Sequence, residues 1–169
     1  MTKVDISVKE PPKKEKCWQQ SLKDFLFMFV QWTWALPVNL VGWIAFIICT
    51  KVLGYRWQHF GYAKIIYVPW KGGGLSMGLF IFIKDNAKSK EWTYNCRIHE
   101  YGHTWQALLL GPLYYIVVAL PSVIWCNCFA GYRKKNNVPY SKLYCEGWAD
   151  AWGQKFSGLK QTESRKTKT

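Results

Sequence analysis

His99-Glu100-Tyr101-Gly102-His103 is the stretch that decides how the rest of this chain is read. On a helix, its i,i+4 spacing sets two imidazoles one turn apart on a single face, where both can reach one metal ion. Glu100 is then placed to take a proton from a water activated by that ion, which is hydrolase chemistry. Such an ion needs a third ligand, and Cys145-Glu146-Gly147-Trp148-Ala149-Asp150 offers one. Glu146 and Asp150 again lie four apart. Glu146 completes a His₂Glu set for Zn²⁺ and leaves the fourth position open to water. Asp150 is suited to accept a hydrogen bond from the outer nitrogen of a ligand histidine, and Gln106, three residues after His103, to join the same network.

These residues resemble the gluzincin class of zinc metallopeptidases, in which a second helix carries a glutamate ligand and, four residues later, an acidic residue. The wording E-x-x-A-D, among apolar flanks, is similar to that of HtpX-like membrane peptidases and of small bacterial membrane proteins carrying H-E-x-G-H-x-x-Q. The likeness runs over residues 95–154. It implies a zincin-like helical core, Zn²⁺ on His99, His103 and Glu146, Glu100 as catalytic base and Asp150 behind a ligand. The implied activity is hydrolysis of a peptide or protein substrate. Such peptidases hold extended substrate against a strand edge beside the motif helix, which strand addition explains physically.

Composition points to the same surroundings. In 169 residues, 50% are hydrophobic and 11 are Trp, 10 Tyr and 9 Phe, more apolar surface than a water-soluble fold of this size buries. Membrane association follows. The net charge of +13 sits largely on lysines outside the apolar stretches and suits an anionic lipid surface. Nucleic acid is excluded as a partner, since no helical arginine array or RNA-binding aromatic motif accompanies the charge. The six cysteines contain no C-x-x-C pair and read as free thiols in a reducing compartment. The first 24 residues lack the order of a cleaved signal, and no feature fixes an oligomeric state.

Residues 1–20 read as a flexible basic tail, 21–157 as one membrane-associated metallopeptidase-like domain, and 158–169 as a second basic tail. No charge occurs from Phe25 to Thr50, and Pro37 and Asn39 interrupt that stretch. One kinked span or a shallow helical hairpin both fit. Residues 62–67 and 79–83 are strand-like and flank Gly72-Gly73-Gly74, which predicts a small antiparallel β-hairpin with a glycine turn, or its continuation into a small sheet. The motif helix is expected over 92–110, capped by Thr93 or Asn95 and stopped by Gly111-Pro112.

From Thr104 to Tyr132 no charge appears, yet a single crossing there would part the histidines from Glu146. Returning Glu146 would also drag Arg133, Lys134 and Lys135 through hydrocarbon, at about 2.5–3.5 kcal/mol each. Residues 113–129 must therefore turn back along the motif helix, and a helix from Ser141 brings Glu146 to the histidines. The basic segment after Gly131 places the site near the cytoplasmic interface, in the bacterial inner membrane by the resemblance. The fold class is thus mainly α and membrane-associated. The function expected is zinc-dependent peptide hydrolysis at a membrane. The alternative is a non-catalytic membrane interaction or immunity-like protein, with zinc as a brace or absent. His59 and Tyr101 are the residues weighed for stabilising an oxyanion.

Overall fold

The computed structural model of the chain describes residues 18–85 and 89–162. The expected tails fall largely outside these residues. Residues 18–20 open the first helix, and Thr162 is tied to Asn95 by bonds of 2.7 and 2.9 Å.

The apolar stretch forms two helices, α1 (Trp18–Thr33) and α2 (Leu36–Ile47), with an 88° bend between them and a π turn over Ile48–Val52. Pro37 sits in the first turn of α2, where its missing N–H costs nothing. Asn39, odd in so apolar a run, is fully buried and explains the bend. Its amide donates to Gln31 O and Gln31 Oε1, both at 2.7 Å, and its carbonyl accepts from Leu79 N at 2.7 Å. One side chain thus fastens the elbow to the sheet.

The sheet corrects the predicted hairpin. Four strands, β1 (Trp57–Phe60), β2 (Ala63–Val68), β3 (Gly74–Met77) and β4 (Phe80–Lys84), lie in the order β1-β2-β4-β3. The two stretches expected to pair antiparallel are β2 and β4, and they pair parallel. The reversals occur at Gly61 (φ +58°) and Gly78 (φ +63°), each opening a two-residue turn, and not at Gly72–Gly74. Two hairpins therefore lie side by side. The inner strands β2 and β4 are buried on both faces, which is why they read as continuous apolar runs.

One sheet face packs Ile65, Tyr67, Ile81 and Ile83 on α3 (Lys90–Leu110) through Ile98 and Tyr101. The opposite face packs Ile66, Phe80 and Phe82 against Phe27 of α1 and Phe46 of α2. After α3 come a 3₁₀ turn (Gly111–Leu113), a π turn (Tyr115–Ala119), α4 (Leu120–Asn127), α5 (Ala130–Lys135), a 3₁₀ turn (Tyr140–Lys142) and α6 (Tyr144–Ser157). The fold is mainly helical with a small mixed sheet, and α6 lies on α3 on the side away from the sheet.

Candidate metal centre

α3 starts two residues earlier than its sequence suggested. Ser89 is the cap, its hydroxyl accepting from Trp92 N–H at 3.2 Å. Thr93 instead returns its hydroxyl to Ser89 O, and Asn95 turns inward to Thr162. At the other end Gly111, at φ +52°, ends the helix where Gly-Pro predicted.

The two motif helices touch backbone to backbone. A Cβ on Gly102 would fall 1.9 Å from Ala149 O, and one on Gly153 would fall 1.9 Å from Ile98 O. Two glycines, one from each helix, thus allow the approach that carries Glu146 to the histidines. His99 Nε2 lies 2.9 Å and His103 Nε2 3.6 Å from Glu146 Oε2. The three ligand atoms are mutually within 4.8 Å, and all three residues are buried. A tetrahedral ion with bonds of about 2.0–2.2 Å sets its ligand atoms roughly 3.3–3.6 Å apart. The cluster's separations, 2.9 and 3.6 Å with none above 4.8 Å, bracket that spacing.

Its outer bonds fix the imidazoles. His99 Nδ1 donates to Asp150 Oδ1 at 2.8 Å, so Nε2 keeps its lone pair toward Glu146. His103 Nδ1 donates to Gln106 Oε1 at 2.6 Å. The Gln106 amide donates to Cys145 O at 2.8 Å, which sets its orientation. Asp150 is in turn held by Gln161 Nε2 at 2.8 Å, a partner the motifs gave no means to find.

Charge completes the argument for a metal. Both carboxylate oxygens of Glu146 are buried with no hydrogen-bond donor, facing two imidazole nitrogens. Such a carboxylate needs positive charge opposite it. Burial alone would push the Glu146 carboxyl up, and the hydrogen bonds and then the charge that the two imidazoles would supply when protonated hold it well below the usual carboxylate range. A metal ion supplies that charge without protonating Nε2. Cys145 lies outside the cluster, its thiol donating to Val118 O at 3.9 Å, and burial and the neighbouring Glu146 push that thiol up to about 12.

A cavity of about 350 Å³ opens beside the cluster, lined by Glu100, Gly74, Ser76, Tyr114, Ser122 and Tyr140 among others. Glu100 packs over Gly74. Lys84 N–H donates to Gly73 O at 3.1 Å, so by antiparallel alternation the main-chain groups of Gly74 and Ser76 point to the free edge of β3. Ser76 O already accepts from Tyr114 hydroxyl at 3.1 Å, while Ser76 Oγ is buried and has no hydrogen-bond partner. Tyr140 stands with its ring 6.4 Å from that of His99 and its hydroxyl 3.1 Å from Ser122 Oγ. Burial and then the Glu146 charge push this phenol well above its ordinary range, so it remains a donor. Neither His59 nor Tyr101 lines the cavity. His59 is exposed on β1, and Tyr101 is buried on the sheet side of α3 with its ring against Phe60.

The structure therefore brings His99, His103 and Glu146 into one buried cluster that can hold a metal ion, with Gln106 and the half-buried Asp150 bonded to the outer nitrogens of the imidazoles and Glu100 on the wall of the adjoining cavity. Comparison with family models, with curated proteins and with solved structures finds no match.

Proposed function

We propose that this chain is a membrane-bound, zinc-dependent peptidase of the gluzincin kind. The observation that carries the reading is the convergence of His99, His103 and Glu146 at one point, with the carboxylate of Glu100 in the adjoining cavity. Two imidazoles and a carboxylate are a donor set that suits Zn²⁺. When bound, the ion would polarise a scissile carbonyl and acidify a water. Glu100 would accept the proton and pass it to the leaving amine, base becoming acid. The outward main-chain groups of Gly74 and Ser76 would pair with an extended peptide, placing its backbone beside Glu100.

Of the two cavity tyrosines, Tyr140 is the one free to donate to a carbonyl oxygen gaining charge. Its partner Ser122 is a hydroxyl that can reverse roles and become the donor, whereas Tyr114 gives its proton to a carbonyl that can only accept.

Metal analysis after mild purification should give about one zinc per chain, and a value near zero sinks the site. Glu100→Gln should keep the zinc and lose turnover on a fluorescence-quenched peptide library by about 10² or more. Unchanged turnover rejects the role of Glu100. A parent that holds zinc, cleaves nothing in the library and is indifferent to Glu100→Gln in cells would instead be a zinc-braced interaction protein.

A further inference from the structure

We infer that the protein enters its membrane from one side only, as a wedge built from two helical elbows that reach into a single leaflet without crossing. The inference rests on the membrane association proposed above and is independent of the chemistry at the metal centre.

Lengths and bends carry the first step. No single helix among the described residues is long and apolar enough to cross a membrane, and the two apolar pairs are bent by 88° (Trp18–Thr33 with Leu36–Val52) and 118° (Lys90–Leu113 with Tyr115–Asn127). At 1.5 Å per residue, the 16 residues of α1 extend about 24 Å, short of the roughly 30 Å of a hydrocarbon core. With a right-angle elbow, both limbs of the first pair tilted equally would reach about 17 Å, close to the depth of one leaflet. The first limb of the second pair is closed off from lipid. Twelve residues of α3, from Tyr94 to Ala107, are buried, and the helix packs between the sheet and α6. Only the return limb shows an apolar outer face.

The elbows form one surface. Trp34, at the first bend, lays its ring over Gly111 at the second, where a Cβ would fall 2.4 Å from it, and its indole N–H donates to Leu109 O at 3.2 Å. Tyr115 hydroxyl donates to Pro37 O at 3.2 Å. On the limbs that meet at this joint Phe25, Phe29, Leu40, Ile44, Ile116 and Leu120 are 43–66% exposed, more apolar area than a chain facing water leaves bare.

Charge identifies the occupant. Lys23 and Lys51 stand on the limbs of the first elbow, and Arg133, Lys134 and Lys135 follow the second. Asp24, the acidic residue of α1, is turned inward and bonds to Tyr62 hydroxyl. An apolar face rimmed by cations fits hydrocarbon beneath anionic headgroups. It also places the wall of the metal cavity in the membrane, since residues 118–126 present Val118, Ser122 and Cys126 to the cavity and Leu120 and Ile124 outward.

Sealed vesicles of both orientations, made from cells producing the full chain, should be treated with a membrane-impermeant amine reagent and the lysines read by mass spectrometry. Lys51, Lys71, Lys134 and Lys155 should label together from one face, at least tenfold above the other. Labelling of Lys51 and Lys134 from opposite faces overturns the wedge. The purified chain should also float with phosphatidylcholine vesicles containing phosphatidylglycerol, and Phe29→Glu with Ile116→Glu should cut that uptake tenfold or more with zinc content unchanged. A chain that stays in solution as an oligomer and ignores the vesicles overturns it too, because the face would then be covered by protein.

Discussion

Gly74 shapes the site as firmly as any charged residue. A Cβ at that position would lie 2.2 Å from Glu100 Oε1 and 2.7 Å from its Cγ, although the backbone there has no positive φ to demand glycine. The neighbouring Gly73 would set its Cβ 3.8 Å from Trp92, an ordinary contact. Gly74→Ala should therefore cost about 1–3 kcal/mol of stability by overpacking, and Gly73→Ala almost nothing. Combined with Glu100→Ala, the Gly74→Ala cost should disappear in a thermal melt, since the clashing atoms are gone. An equal cost in both backgrounds would mean that Gly74 does not position Glu100. The metal shell makes a second prediction. Under a chelator Glu146→Ala should lose zinc fastest and Asp150→Asn next, its affinity weakened about 10- to 100-fold, while Glu100→Gln should stay near the parent. Asp150→Asn indistinguishable from the parent would remove Asp150 from that shell. The six motif residues were legible because i,i+4 is a property of the helix itself. Gly74 and Tyr140 were not, because no spacing rule links a strand edge or a loop to a helix far along the chain.

At the scale of elements, the contact between α3 and α6 decides whether the motifs meet. Gly102 looks like a flaw in a helix, since Ala there should stabilise by up to about 1 kcal/mol on propensity. The structure reverses that sign, because the added methyl would meet Ala149 O at 1.9 Å, and backbone cannot swing aside as a long side chain does. Gly102→Ala should thus destabilise the chain and weaken zinc binding together, and Gly153→Ala should do the same from the opposite helix. A rise in melting temperature for Gly102→Ala would show that the helices are not in contact there. The sequence did predict the stop at Gly111 and a reversal after it, although the return limb leaves at 118° and packs on α6 rather than running antiparallel along α3. It misled on the sheet. Of several glycine positions it favoured the run at 72–74 as the turn, and nothing local distinguishes a pair of side-by-side hairpins from a single one. The bend at residues 34–35 was left open for a related reason, since it depends on Asn39 finding Gln31 and Leu79 across the fold.

Across the whole molecule, composition foretold the exposed apolar surface but not its shape, because hydropathy counts residues and says nothing of the elbows that gather them. A metal at this site would act on the same scale. It would join α3 to α6 through His99, His103 and Glu146, and the carboxylate buried between them has no hydrogen-bond donor to take the ion's place. An ion bound at 1,000 times its dissociation constant stabilises the folded state by about 4 kcal/mol. For a domain of this size that corresponds to roughly 8–16 °C in Tm. Chelation should lower the melting temperature by that order, and zinc should restore it. The pH dependence has a definite sign. Protons compete with the ion for imidazole nitrogens that must be unprotonated to bind it, so the added stability is present at neutral pH and above and is lost as pH falls through the ordinary imidazole range near 6.5. The gap in Tm between zinc-loaded and chelated chain should therefore be widest above about pH 7 and close toward about pH 5. A gap that stays constant through that window would mean that histidines do not hold the ion, and the site would have to be sought among other ligands.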